Sequence, residues 1–177
     1  MAEREPYPEL QQESKESDLS RLPNTTLISD PLPLPPGYTF VDSPPSLRTY
    51  LDLRRLTGLT PKTDAQGEGA LSGSWVFCTV LYQDQNRPVS EAEVVAMGRV
   101  IGDGGWYFVI ADMAVHLAHQ RKGLGEAVLR RLIARIKEQA PPGALVTLSA
   151  DEKGRALYRR CGFVESAPKS VGMWLDL

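Results

Sequence analysis

From Trp106 to Val115 the chain is apolar at every position except Asp112, and a few residues later it reads Gln120-Arg121-Lys122-Gly123-Leu124-Gly125. No other stretch constrains the fold so tightly. A strand apolar on both faces must lie inside a sheet, with cover above and below it. Beyond the glycines, Leu129, Leu132, Ile133 and Ile136 recur at i, i+3, i+4 and i+7, while Arg130, Arg131, Arg135 and Lys137 fill the opposite face. That is an amphipathic helix, ended by Pro141-Pro142-Gly143. A central strand, a glycine loop and a long helix therefore follow one another without interruption.

Such a junction has a chemical use. Glycine lets the backbone pass close to a ligand and adopt dihedrals closed to bulkier residues. The unpaired N–H groups of a helix's first turn, aided by its dipole, hold an anion. Arg121 and Lys122 add positive charge for phosphate. Two familiar phosphate motifs do not fit: there is no GxxxxGK[ST], and the residue three beyond Gly125 is Val128, which breaks GxGxxG.

The rest of the chain reads as one α/β domain behind a tail. Residues 1–36 are polar with scattered charge and end in Pro31-Leu32-Pro33-Leu34-Pro35-Pro36, an extended polyproline stretch. They are expected to be a disordered tail, with the domain spanning 37–177. Tyr38 to Val41 is a short strand. Ser43-Pro44-Pro45-Ser46 opens a helix over Leu47 to Thr57, stopped by Gly58. Residues 59–74 are poorly specified, with a short second helix near Gly69-Ala70-Leu71. Strands are expected at Trp75–Tyr82, Glu93–Ile101 and Trp106–Val115, the last two joined by the tight turn Gly102-Asp103-Gly104-Gly105. After the long helix come a buried strand at Leu145–Ser149, a helix from Gly154 to Cys161, and final strands at Phe163-Val164 and Val171–Leu175.

Composition narrows the function. A net charge of −2 and a pI of about 5.7 give no basic surface for nucleic acid. No apolar run approaches the ~18 residues that span a bilayer, so no membrane role is expected. Two cysteines, Cys78 and Cys161, stand in apolar surroundings without metal-like spacing. A reducing compartment, cytoplasmic or nuclear, is the default.

Met113-Ala114-Val115-His116, the loop from Gln120 to Gly125, and Ala156-Leu157-Tyr158-x-x-Cys161-Gly162-Phe163 together closely resemble the GNAT superfamily of N-acetyltransferases. The first two pieces match its acetyl-CoA motif, Q/R-x-x-G-x-G/A, and the third its LYxxxGF motif. The resemblance covers the domain but not the tail. It implies a GNAT fold, a mixed central sheet whose fourth and fifth strands splay apart at a bulge, flanked by helices.

It also implies acetyl-CoA as co-substrate, with no metal. Main-chain groups of Met113, Ala114 and Val115 would meet the pantetheine arm, and N–H groups from Gln120, Arg121, Lys122, Gly123, Leu124, Gly125, Glu126 and Ala127 the pyrophosphate. Tyr158 would protonate the leaving thiolate, and Asp151, where many relatives carry Asn, would accept a hydrogen bond from the cofactor arm. Asp112 carries two readings. Burial would raise its pKa and make it the base that deprotonates the amine, or it is the structural partner of Arg99 on the neighbouring strand. His116 and His119 form HxxH on a loop without a third ligand, and Arg54-Arg55 read as helix surface.

The function expected is transfer of acetyl to a primary amine, of a small molecule, by direct attack in a ternary complex. A protein Lys or N-terminal acetyltransferase and a non-catalytic acyl-CoA-binding module are the alternatives. A homodimer is left open.

Overall fold

The structure is a computed structural model and describes residues 32–84, 86, 88 and 92–175. Five strands form one mixed sheet in the order β1-β2-β3-β4-β5. They are β1 (Tyr38–Val41), β2 (Val76–Tyr82), β3 (Glu93–Gly102), β4 (Tyr107–Val115) and β5 (Leu145–Leu148). The first four are antiparallel neighbours; β5 runs parallel to β4. Helices α1 (Leu47–Thr57) and α2 (Asp64–Ser72) cover one face, while α3 (Leu124–Gln139) covers the other and α4 (Glu152–Arg160) follows β5.

Local chemistry sets the helix ends. Ser46 Oγ accepts the Thr49 N–H at the start of α1, and Gly58 closes it at φ 85°. Thr63 and Gln66 form a capping box at α2, a helix longer than the short one expected. The apolar stripe of α3 seats Leu124, Val128, Leu129, Leu132 and Ile136 on the sheet beside Val80, Val100, Phe108 and Ile110. Tyr50 and Leu53 of α1 pack on the other face with Phe77, Met97 and Ala114. Each such side chain removed from water is worth roughly 1.5–3 kcal/mol.

One irregularity shapes everything that follows. In the β3–β4 register Met97 faces Ala114 and Arg99 faces Ala111, so Gly98 alone opposes both Asp112 and Met113. This is a β-bulge, and Asp112 adopts φ 53° within it. The extra residue inverts the alternation of the strand. Before it, Phe108 and Ile110 face α3; after it, Met113 and Val115 do, and Ala114 turns to α1. Gly98 is required there, because a Cβ would lie 2.5 Å from Met113 Sδ and 3.0 Å from Leu132 and Val128.

Two expectations are corrected. Residues 163–175 contain no strand: the apolar side chains of Val164, Val171, Met173, Trp174 and Leu175 are exposed. A strand needs a neighbour to hydrogen-bond with, and this segment has none among the described residues. The domain also begins earlier than residue 37, since Leu34 packs against the core and the Pro35 carbonyl accepts the Tyr38 N–H at 3.2 Å. The tail expected over residues 1–31 lies outside the described residues.

Candidate active site

Near the bulge β4 outruns its parallel neighbour. Pairing of β4 with β5 runs from Tyr107↔Leu145 to Ile110↔Leu148 and ends there. Ala111 to Val115 have no register partner in β5, and neither Asp112 nor Met113 has one in β3. β4 therefore runs on past the end of β5 at Leu148, which leaves a slot beside its C-terminal half among the described residues.

The glycine loop stands at its mouth. After a 3-10 turn at Leu117–His119, Arg121 takes φ 63° and Gly123 φ 79° before α3 begins. No side chain caps that helix start. The N–H groups of its first turn have no intrahelical acceptor, which is the chemistry of an anion nest. The two glycines serve different ends. Gly123 supplies a left-handed conformation with open space around it, while a Cβ on Gly125 would sit 3.6 Å from both Val115 and Leu157. Gly125 thus marks where β4, α3 and α4 converge.

Not every loop residue offers what was expected. The Ala127 N–H is spent on the Gly123 carbonyl at 3.0 Å, so the helix itself has used it. Gln120 is also committed inward: its N–H points to the Leu117 carbonyl at 3.4 Å and its Nε2 to that of Val115 at 3.1 Å. Gln120 shapes the loop rather than contacting phosphate. The expectation of a phosphate contact is left with the main chain of Arg121, Lys122, Gly123, Leu124, Gly125 and Glu126. Lys122 Nζ donates to the Tyr38 hydroxyl at 3.0 Å, and that hydroxyl donates to His119 Nδ1 at 2.8 Å. Burial, with the charges of Lys122 and His116, pushes the His119 pKa down and keeps it neutral, as this bond requires.

Tyr158 lies in α4 with its ring edge-on to Phe163, 6.1 Å between centroids. Gly154 leaves room for that ring: a Cβ there would approach it to 2.8 Å. The Tyr158 side chain faces the open groove beside β5, and among the described residues nothing hydrogen-bonds its hydroxyl. Burial and the nearby charge of Asp151 push its pKa up, so it stays a protonated donor at neutral pH. Asp151 occupies the N-cap position of α4 without making a side-chain cap bond.

Asp112 is the main correction. Its Oδ2 accepts from the Tyr50 hydroxyl and Arg99 Nε, each at 2.5 Å, and its Oδ1 accepts from Arg54 Nη1. Burial pushes its pKa up, but hydrogen bonds from Tyr50 and Arg99 and the charges of Arg99 and Arg54 outweigh burial. The carboxyl ends below its ordinary value, not above it. A carboxylate held by three donors is a poor proton acceptor, so the expected base role is withdrawn and the Arg99 partnership stands. Arg54 is not surface as expected: it is 6% exposed and also donates to the Thr60 carbonyl at 2.8 Å. The sequence held one signal of this, a lone carboxylate in an apolar strand, which demands a cation. Asp103 is committed elsewhere too, accepting the N–H groups of Gly105, Trp106 and Tyr107 in the β3–β4 turn.

A family model described as an acetyltransferase (GNAT) domain matches residues 75–165. The chain is 30% identical over 153 residues to GCN5-related N-acetyltransferase 1, chloroplastic, of Arabidopsis thaliana, covering 78% of this chain and 74% of that protein. It is 30% identical over 94 residues to the rice protein named serotonin N-acetyltransferase 2, chloroplastic, covering 53% of this chain and 46% of that protein. Among solved structures, a Staphylococcus aureus protein of unknown function described as a probable acetyltransferase superposes with a TM-score of 0.70 at 30% identity, covering 79% of this chain and 99% of that one. The sheet, the glycine loop and these matches agree: the chain belongs to the GNAT family of N-acetyltransferases and is an acetyltransferase.

Proposed function

We propose that this enzyme moves the acetyl group of acetyl-CoA to the primary amine of a small molecule, by direct attack with both substrates bound. The observation that carries the reading is the uncapped start of α3, whose first-turn N–H groups follow closely on the stretch of β4 from Ala111 to Val115 that has no partner in β5. These residues fit acetyl-CoA, which when bound supplies an activated acyl thioester. The α3 N–H groups and the left-handed turns at Arg121 and Gly123 bind its pyrophosphate. Main chain from Met113 to Val115 lines its pantetheine arm as an added strand would.

Tyr158 holds its proton at Oη and passes it to the sulfur as the amine nitrogen bonds the acyl carbon and the C–S bond breaks. Proton removal from the amine falls to water. The carboxyls that depart from their ordinary range, Asp42, Asp103, Asp112 and Glu165, all depart downward. Asp112 instead ties α1 to the bulge and so fixes the wall of the slot.

A small acceptor is favoured by the rice relative, whose name carries serotonin, and by the short connection between α1 and α2, which leaves no docking insertion. Both thiols are buried, and burial pushes Cys78 up to about 12, which leaves them out of the chemistry. The test is release of CoA thiol across a panel of arylalkylamines, polyamines, amino acids and Lys- or N-terminal peptides. Turnover confined to free amines supports the reading. Turnover confined to peptides replaces it with a protein acetyltransferase. CoA binding without any turnover leaves an acyl-CoA-binding module.

A further inference from the structure

The charges around the bulge do not balance. Asp112 is met by two guanidinium groups, those of Arg54 and Arg99, and by the neutral Tyr50 hydroxyl. One carboxylate against two cations leaves a positive charge in excess, among side chains largely withdrawn from water, where an uncompensated charge is costly. Among the described residues no second carboxylate pairs with either arginine. Asp52, the other carboxyl of α1, lies on the solvent side with Arg48 and Arg55. The remaining partners carry no charge: the Thr60 carbonyl for Arg54 and Ser74 Oγ for Arg99.

Donors are left over as well. Arg54 Nε is buried without an acceptor. Arg99 spends Nε on Asp112 and reaches Ser74 Oγ from Nη1 at a long 3.4 Å, and among the described residues its Nη2 bonds to nothing. Two terminal nitrogens so lightly engaged match the two oxygens of a second carboxylate. The place of Arg99 in the sheet says whose carboxylate that is. Arg99 stands opposite Ala111 in the β3–β4 register, and Ala111 is the first residue of β4 beyond its pairing with β5. The excess charge therefore lies level with the start of the slot, on the face that α1 covers. The opposite face is filled by α3 and its core, so the α1 side is the one left for an acceptor.

We propose that the acceptor is an amino acid, an amine carrying its own carboxylate, and that Arg99, backed by Arg54, receives that carboxylate beside the slot, a proposal that rests on the small-amine reading above. With the carboxylate held, the amine loses a proton to water and its nitrogen bonds the acyl carbon. The C–S bond breaks, and an N-acetyl amino acid leaves beside CoA thiol.

The experiment compares amino acids with their own carboxamides, phenylalanine and glycine among them, by CoA thiol release from the full chain. Side chain and size are kept while the charge is removed. A carboxylate raises the pKa of its neighbouring amine, so intrinsic reactivity near neutral pH favours the amide, and a preference for the acid comes from the site. The ratio of kcat/KM should favour the acid by at least about tenfold. In Arg99→Gln that ratio should collapse, and in Arg99→Lys, which keeps the charge and loses the fork, it should be intermediate. A ratio is insensitive to a general loss of folded enzyme. Calorimetry of phenylalanine and its amide on the CoA-saturated wild type needs no variant, and binding of the acid without the amide is expected. Turnover of free amines with no preference for the acid overturns the proposal and leaves the small-amine reading standing. A preference that survives Arg99→Gln, or equal binding of acid and amide, overturns it too. Turnover confined to peptides overturns both.

Discussion

The two ends of β4 were finished in different ways. Towards α1, the bulge is locked: Asp112 joins Tyr50, Arg54 and Arg99, and the side chains of Arg54, Arg99 and Asp112 are 7%, 14% and 11% exposed. Towards β5, the sheet stops at a bare edge with an unpaired apolar segment nearby. The difference teaches that one sheet can be held by buried charge on one flank and end at an open edge on the other. The locked flank needs fixed geometry, because it holds α1 against the bulge.

Breaking the locked flank should have the largest effect. Asp112→Ala leaves two buried guanidinium groups without their anion, and removing one member of a buried pair costs about 3–5 kcal/mol. Urea denaturation should register most of that loss, whereas Trp174→Asp should leave the unfolding of the monomer unchanged. Equal losses would erase the contrast. The pH dependence carries a sign. Because the folded-state pKa of Asp112 is depressed, its contribution is present above the ordinary carboxylate value of 3.8 and is lost as pH falls through the lowered value. Asp112→Asn should flatten that acid limb.

Next comes the free phenol on the open side. Tyr158→Phe keeps the ring against Phe163 and removes only the hydroxyl, so turnover should fall by about 10²-fold with stability intact. With the Tyr158 pKa raised above its ordinary 10.0, the wild-type donor should remain loaded through neutral pH and fail only in strongly alkaline buffer. Full turnover in the Phe variant, with chemistry rate-limiting, would make Tyr158 a packing residue.

Gly125→Val sharpens the comparison at the junction of the two flanks. Its branched side chain must grow between Val115 and Leu157, both already in contact with a Cβ at 3.6 Å. Acetyl-CoA affinity should fall at least about tenfold, or 1.4 kcal/mol, by calorimetry. Unchanged affinity would remove the loop from the cofactor site.

Smaller still is Tyr38→Phe, which deletes the hydroxyl linking Lys122 to His119. A single such network bond contributes about 1 kcal/mol. The depressed His119 pKa means its share is present above 6.5 and lost as pH falls through the lowered value. The melting temperature should therefore fall on acidification in the wild type and less so in the variant. Smallest of all is removal of residues 1–31, for which no change in melting temperature or turnover is expected. Removal up to residue 36 takes Leu34 from the core and should lower the melting temperature.

Much of this was legible in the residues. Ser46, Gly58 and the stripe from Leu129 to Ile136 fix α1 and α3 because capping and amphipathic spacing are local properties, carried within a few turns of chain. Gly123 before an apolar helix announces the anion site for the same reason. Other features were silent. The bulge at Asp112 hides in a run that is apolar on both faces, where inverting the alternation leaves the pattern unchanged. Arg54 looked like surface because nothing within α1 indicates that a carboxylate from β4 will reach it.

The sequence by itself determined α1, α3 and the first five strands, and marked the glycine loop as the expected phosphate site, since those follow from short-range sterics and backbone donors. Only the tertiary structure decided the charge state of Asp112 and the fate of Val171–Leu175. A buried carboxyl's pKa depends on whichever cations the fold brings to it, here residues 58 and 13 positions away in the chain. A strand exists only where another strand's edge is free to receive it.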